Sequence, residues 1–317
     1  MKPLLIVNPR SGGGRTGALF EKMRSPIERS LGAFDTVFTE RGRHAVDLAR
    51  EAALSGRETV VAVGGDGAIH EVTNGLMQAK EKGAEGTRLG IIGTGTGGDF
   101  RKSLEIEHRL DKYSEVVARG ATRTIDVGRF SYATHDGAEA HAYFMNILSV
   151  GIGGLVDRYV AEAGRALGGT LTYLTASLKG LVNSEVGVLR CTVSCDGQRR
   201  EEEIHTRNIA ICNGRYFGSG MQVAPMAKLD DGLLDVVDLG AAPRLRFFLV
   251  SSRMYVGTHI NHADVKHFRC DKLEIELVNK AVKDRFLLDV DGEPLGTLPI
   301  SIELKKNALT VLAPLPA

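Results

Sequence analysis

Three short apolar runs in the first hundred residues each end in glycine, and no other feature limits the possible folds of this chain as strongly. Leu4-Leu5-Ile6-Val7 runs into Asn8-Pro9-Arg10-Ser11-Gly12-Gly13-Gly14. Thr59 to Val63 runs into Gly64-Gly65-Asp66-Gly67, and Leu89-Gly90-Ile91-Ile92 runs into Gly93-Thr94-Gly95-Thr96-Gly97-Gly98. Short apolar runs that stop at turn residues read as buried strands. Helical spacings lie between them, at Val46, Ala49, Ala53 and Leu54 and again at Ile69, Val72, Leu76 and Met77. Thr36-Val37-Phe38 adds a further strand. Repeated strand–loop–helix units predict a parallel, doubly wound sheet. The carboxyl ends of parallel strands lie on one edge, so the three glycine loops are expected to converge there.

The pattern changes near Asp126. Strands then follow one another at Tyr143 to Leu148, Leu189 to Cys195, Ile204 to Cys212, Leu233 to Leu239, Leu273 to Leu277 and Phe286 to Val290. Leu273, Ile275 and Leu277 alternate with charged residues, as in a sheet with one wet face. Gly153 to Val182 and Pro243 to Tyr255 read as helical interruptions. A chain of 317 residues is longer than one core usually organises. The expected fold class is therefore α/β plus β: a doubly wound N-terminal domain and a mainly antiparallel C-terminal β-sandwich.

The formal net charge of +1 supplies no global field toward nucleic acid or an anionic membrane, and nucleic acid is not an expected partner. Cys191, Cys195, Cys212 and Cys270 contain no Cys-x-x-Cys pair and read as free thiols of a reduced, cytoplasmic protein. The apolar run after Met1 is too short for a signal peptide, and no run reaches the roughly 18 residues that span a bilayer.

Glycine lets main-chain N–H groups approach phosphate, and a following helix N-terminus adds favourable partial charge. Three such loops favour a polyphosphate site over turn chemistry alone. No Gly-x-x-x-x-Gly-Lys-[Ser/Thr] occurs, which excludes a P-loop. Gly93 to Gly98 formally matches Gly-x-Gly-x-x-Gly, but on the fourth strand, whereas the dinucleotide fingerprint belongs on the first. Asp66 stands inside a loop suited to phosphate, and Asp99 closes the third loop. Two anions in contact repel unless a cation lies between them, and Mg²⁺ takes a few carboxylates, waters and phosphate oxygens. Asp126, where the fifth strand leaves the domain, completes the set. The plainer alternative is that each aspartate caps a helix or closes a turn.

Val63-Gly64-Gly65-Asp66-Gly67-Ala68-Ile69-His70-Glu71-Val72 resembles the signature of the diacylglycerol kinase catalytic domain, shared with sphingosine, ceramide and soluble bacterial lipid kinases. Asn8-Pro9-Arg10-Ser11-Gly12 resembles the opening loop of that family, and Gly95-Thr96-Gly97-Gly98-Asp99-Phe100 its Gly-Thr-Gly-Asn-Asp-Phe. Gly218-Ser219-Gly220-Met221, Ala224-Pro225, Asp230 to Asp235 and Asp291-Gly292-Glu293 resemble its later motifs, in family order. Ala68 stands where the family usually has Thr, and Gly98 where it has Asn.

The resemblance implies an NAD-kinase-like nucleotide domain over residues 1–127, rejoined by 299–317, and a lipid-substrate sandwich over 128–298, with the active site in the cleft. It implies ATP as phosphoryl donor and a catalytic Mg²⁺ organised by Asp66, Asp99 and Asp126. Nucleotide contacts are implied at Asn8, Pro9, Arg10, Ser11, Gly12, Thr39, Gly65, Asp66, Gly67, Ala68, Glu71, Gly95 and Thr96. A structural metal is implied at Lys228, Asp231 and Leu233. The expected reaction phosphorylates a lipid hydroxyl of the diacylglycerol, sphingoid, ceramide or phosphatidylglycerol type. The alternatives are a kinase of a soluble metabolite such as NAD and a non-catalytic nucleotide- or lipid-binding protein. A lipid substrate implies transient peripheral membrane contact; a homodimer is compatible with the sequence. Phe247 to Tyr255 is one candidate wall for the lipid, with core packing the plainer reading. Asp291 and Glu293 are both candidates for the base that deprotonates the hydroxyl, with Asp66 next in line. As residues i and i+2 of an extended strand they would face one side together. A plain Asp-Gly hairpin turn is the alternative.

Overall fold

The computed structural model of the chain describes residues 2–95, 97–134, 137–163 and 169–315. It divides into two compact units, Met1–Val127 with Lys306–Ala317, and Gly128–Lys305.

In the first unit β1 (Leu4–Val7) is followed by a helical turn, α1 (Ser11–Gly14), and by α2 (Thr16–Leu31). Next come β2 (Asp35–Phe38), α3 (His44–Leu54), β3 (Thr59–Gly64), α4 (Asp66–Glu81) and β4 (Arg88–Gly93). The short α5 (Asp99–Ser103) and α6 (Leu110–Arg119) lead to β5 (Thr122–Ala133). The strands are parallel in the order β2-β1-β3-β4, and the C-terminal segment returns to pair Val311 with Leu89 of β4, also in parallel. Leu5 to Val7, Val60 to Val63, Leu89 and Ile92 are buried, as continuous apolar strands covered on both faces must be.

The helices α3 and α4 pack closely because Gly75 carries no side chain. A Cβ there would lie 2.3 Å from the Val46 carbonyl oxygen and 2.7 Å from the Ala49 Cβ.

In the second unit β6 (Glu139–Phe144) pairs antiparallel with β5. Then follow β7 (Ile147–Gly151), α7 (Ile152–Ala163), α8 (Gly169–Asn183), β8 (Gly187–Cys195), β9 (Gln198–Thr206) and β10 (Asn208–Cys212). The unit continues through β11 (Leu234–Asp238), α9 (Arg244–Ser252), two 3₁₀ turns (Arg253–Val256 and Thr258–Asn261), β12 (Lys266–Cys270), β13 (Lys272–Leu277), β14 (Leu287–Val290) and β15 (Glu293–Leu312). One antiparallel ladder runs β12-β11-β10-β7-β14-β15-β13-β8-β9. Its core gathers Phe130, Phe144, Leu148, Val193, Ile211, Leu273 and Ile302.

Three expectations are corrected here. The strand expected over Tyr143 to Leu148 is two strands, broken at Met145-Asn146, whose N–H groups leave the ladder for the Asp291 carboxylate. The strand expected over Ile204 to Cys212 breaks at Arg207, whose buried guanidinium donates to the Ala242 and Ser184 carbonyls. Its first half instead extends back through Gln198 to Glu203, a charged, largely exposed run that pairs with β8 and carries no apolar signal. Ile300 to Glu303 pairs with β13 inside the second unit, so the return to the first begins at Lys306 rather than Pro299. The four cysteines are free thiols, with only Cys195 partly exposed.

Gly75→Ala tests the α3–α4 contact. Helix propensity alone favours alanine by about 1 kcal/mol, whereas overpacking against backbone costs about 1–3 kcal/mol. The expected result is a lower urea midpoint; a raised midpoint would show that the helices separate freely.

Candidate active site

The three glycine loops meet as the parallel strand ends require. Asn8 donates its N–H to the Val63 carbonyl and accepts the Arg10 N–H on its side chain at 3.0 Å. Pro9 lies against the start of α2, where a Cβ on Gly17 would approach it to 3.1 Å. Ser11 Oγ accepts the Gly65 N–H at 3.3 Å, tying the first loop to the second. The Thr16 hydroxyl donates to the Ser11 carbonyl and lies 2.8 Å from that of Thr94, tying the first to the third. Gly12, at φ 60°, has no room for a side chain, because a Cβ would come within 2.9 Å of the Thr94 carbonyl. A Cβ on Gly95 would lie 2.9 Å from the Gly65 Cα.

The glycine at the N-cap leaves α4 without a side-chain cap, so the N–H groups of its first turn, at Asp66 and Gly67, receive no acceptor from it. An uncapped helix N-terminus favours an anion. Ala68 is buried beneath Gly64. Thr96 lies outside the described residues. Thr39 is buried and donates its N–H to the Val7 carbonyl. The Glu71 carboxylate accepts the N–H groups of Arg43 and Ala45 at 3.0 and 3.2 Å, so it caps α3.

Asp66 points from α4 to the third loop. Its carboxylate accepts the N–H groups of Gly98 at 2.8 Å, Asp99 at 3.3 Å and Phe100 at 3.4 Å. Burial, with the Asp99 charge second, holds its pKa above the usual carboxylate range against those three donors. Asp99 is itself buried and paired with Lys102 at 2.8 Å. The Asp126 Oδ1 accepts the Asn307 N–H from the returning C-terminal segment. Among the described residues no group of three or more His, Cys, Asp or Glu could hold a metal. Asp66 and Asp99 remain two neighbouring carboxylates, and Mg²⁺ takes one or two from protein and completes its shell with water and phosphate.

In the second unit Asp291 and Gly292 form a two-residue turn between β14 and β15, both with positive φ (53° and 87°). The turn separates the two candidate bases. Asp291 is buried, and its carboxylate accepts the N–H groups of Met145, Asn146 and Ile147 at 3.2, 3.1 and 3.0 Å. Glu293 is exposed. The expectation that both face one side fails, because left-handed backbone at Asp291 breaks the strand alternation.

Residues 2–130 match the diacylglycerol kinase catalytic domain, and residues 146–313 match the YegS C-terminal NAD kinase beta sandwich-like domain. A Chromohalobacter salexigens protein, "Probable lipid kinase YegS-like", is 31% identical over 87% of this chain and 82% of its own length. The chain belongs to the diacylglycerol kinase catalytic-domain family. The "Diacylglycerol kinase" of Bacillus subtilis is 28% identical over 93% of this chain and 90% of its own. A solved structure titled "A putative diacylglycerol kinase from Bacillus anthracis" superposes with a TM-score of 0.76 at 25% identity, covering 99% of this chain and 97% of that one.

Within this family the chain has departures that its own structure explains. Gly98 stands in left-handed backbone, and a Cβ there would lie 2.8 Å from Arg101 Nε. Glycine thus makes room for Arg101, which sequence reasoning missed. Its guanidinium lines the recess between Gly65, Asp66 and Gly95, and its Nε is buried without an acceptor. Tyr113 lies at the same recess, its phenol pushed up to about 12 by burial, so it stays protonated and hydrogen-bonded to His108 at 2.8 Å. The implied structural metal does not fit. Asp231 accepts the Leu233 N–H and pairs with the Arg269 guanidinium, which supplies the positive charge a metal would bring, and Lys228 is exposed.

Sequence reasoning also missed a buried acid pair, for want of any motif. Asp157, on α7, hydrogen-bonds to Asp289 of β14. Gly153 and Gly154 let α7 start this close to β14; a Cβ on Gly154 would meet the Leu287 backbone at 2.7 Å. Asp289 Oδ1 accepts the Gly292 N–H at 2.9 Å and so fixes the Asp291-Gly292 turn. Burial raises the pKa of both acids, that of Asp289 to about 6; the Asp291 charge adds to the rise at Asp289 and the Ser149 hydrogen bond opposes it, while the Asp289 and Glu293 charges add to the rise at Asp157. An acid whose folded pKa lies above its unfolded value removes stability as pH rises. The loss is absent below the ordinary pKa of 3.8 and complete above about 6. Asp289→Asn keeps an acceptor for Gly292 and removes this loss. It should raise stability at pH 7.5 by on the order of 1–2 kcal/mol and leave it little changed at pH 3.5, as read by urea unfolding. Equal stability of both proteins at pH 7.5 would show that the pair carries no such cost.

Proposed function

We propose that this chain is an ATP-dependent lipid kinase, a phosphotransferase whose acceptor is a lipid hydroxyl of the diacylglycerol, sphingoid, ceramide or phosphatidylglycerol type. One observation carries the nucleotide half of this reading: the uncapped N-terminus of α4, framed by three glycine loops, with Asp66 beside Asp99. Main-chain N–H groups there receive phosphate oxygens, and Arg101 supplies a fixed cation with an unused donor. Asp66 and Asp99 would hold the Mg²⁺ that the family implies, which neutralises phosphate charge. The names of the relatives support a lipid as acceptor.

The base follows from the turn. Asp291 already receives three N–H groups and is assigned the anchor, whereas exposed Glu293 is assigned the proton acceptor. Glu293 takes the hydroxyl proton as the hydroxyl oxygen bonds to the γ-phosphorus. The bond from that phosphorus to the β,γ-bridging oxygen breaks, and ADP leaves.

Glu293→Gln should lower turnover by about 10²–10⁴-fold with nucleotide affinity unchanged. Asp291→Asn should lower thermal stability as well as rate. Labelled ATP offered with diacylglycerol, sphingosine, ceramide, phosphatidylglycerol and NAD measures both activity and acceptor class. Label in NAD alone, or in no acceptor, would overturn the lipid-kinase reading; full activity of Glu293→Gln would move the base elsewhere.

Removing the Arg101 charge is a separate test of the recess. Arg101→Met should weaken ATP binding by about tenfold or more, since a charge-assisted bond is worth about 1.5–3 kcal/mol. Isothermal titration with ATP checks it, and unchanged affinity would place the phosphates away from Arg101.

A further inference from the structure

We infer that the outward face of α9 and the 3₁₀ turn after it is a docking surface for an anionic phospholipid membrane. The sequence reading treats Phe247 to Tyr255 as one continuous stretch, but the fold splits it. Phe247, Val250 and Met254 enter a core cluster with Ala210, Val237 and Val265. Leu245, Phe248, Leu249, Tyr255 and Val256 face outward, with Leu245 74% and Val256 69% exposed. Leu245, Phe248 and Leu249 stand at i, i+3 and i+4, so they form one stripe on the helix. Five large apolar side chains on thirteen residues are more than scattered surface hydrophobics require.

The neighbouring helix α8 carries exposed apolar residues of its own. Arg244 donates to the Ser184 carbonyl at the end of α8, and Leu181 of α8 packs on the same cluster as Phe247. Leu178 and Val182 of α8 are exposed too.

Charge selects the occupant. From Leu239 to Ala263 the chain holds Arg244, Arg246 and Arg253 and no Asp or Glu. Arg244 and Arg246 pair with Glu185 and Asp264 at 3.7 and 2.6 Å, while Arg253 makes no ion pair among the described residues. An apolar stripe flanked by arginines, one of them outside any ion pair, is the pattern of a helix that lies in a bilayer interface beside anionic headgroups. A two-fold contact with a second copy would set the same arginines against each other. No described helix is long and apolar enough to cross a membrane, so contact of this kind is peripheral.

The inference rests on the lipid-kinase reading only for its purpose, and the test separates the two. Wild type and a Leu245→Ser/Leu249→Ser variant are sedimented with vesicles of phosphatidylglycerol and phosphatidylcholine, without nucleotide. Both are also assayed on a short-chain, water-dispersed diacylglycerol. The expected result is wild-type binding that weakens with salt and with neutral vesicles, and at least tenfold weaker binding by the variant at unchanged thermal stability. Arg253→Glu should weaken binding at low salt and not at high salt. Turnover of the short-chain acceptor should be equal in wild type and both variants. Equal vesicle binding by wild type and the double variant overturns the proposal, as does absence of wild-type binding. A wild type that elutes as a dimer, with a monomeric double variant, overturns it in favour of self-association. Binding as expected with no lipid phosphorylated supports the surface and sinks the kinase reading alone.

Discussion

The Asp66 carboxylate accepts the main-chain N–H groups of Gly98, Asp99 and Phe100, and that of Asp291 accepts those of Met145, Asn146 and Ile147. Three successive N–H groups that converge on one anion cannot also serve a helix or a ladder, so each contact ends regular structure where it forms. In the first unit it shapes the third glycine loop and starts α5. In the second it breaks what would be one strand into β6 and β7 and holds the Asp291-Gly292 turn. A buried carboxylate without such donors is costly, and a loop of three unmet N–H groups is costly too. Each makes the other tolerable, and removing either leaves the remainder unsatisfied.

Close backbone approach is the second constraint, and it accounts for the glycines without appeal to flexibility. Gly12 against Thr94 and Gly95 against Gly65 are backbone contacts that a single Cβ would close, and Gly98 faces the Arg101 side chain in the same way. What results is a recess whose donors are main-chain N–H groups and whose charges are fixed by burial. Asp66 and Arg101 both line it, and the Asp99 charge acts on Asp66. Opposite charges arranged around an uncapped helix end suit a polyphosphate and a divalent cation together better than either alone.

The second unit treats its acids differently. Asp157 and Asp289 are hydrogen-bonded to each other, and burial raises the pKa of both. Burial disfavours the ionised form of both, yet Asp289 holds the Gly292 N–H and with it the turn before Glu293. Strain of this kind is commonly retained where a turn must present one side chain in one direction. The exposed apolar stripe of α9 is another feature that packing does not require, since the opposite face of the helix already fills the core.

The sequence by itself determined the layered plan. Apolar runs that stop at glycine specify buried parallel strands, because the period and the stop are local properties. Motif order identified the family and picked out Asp66, Asp99, Asp291 and Glu293. It left the division of roles open, because alternation along a strand places Asp291 and Glu293 together while two residues of positive φ place one inside and one outside. Tertiary structure alone brought the Asn307 N–H to the Asp126 carboxylate, and put Arg269 where a metal was implied at Asp231. It alone brought Asp157 to Asp289 and Arg101 to the glycine recess. These pairings join residues distant in the chain or on different faces of an element, and no local pattern records them. What a carboxylate does depends on the N–H groups and charges that the fold brings within about 3 Å of it.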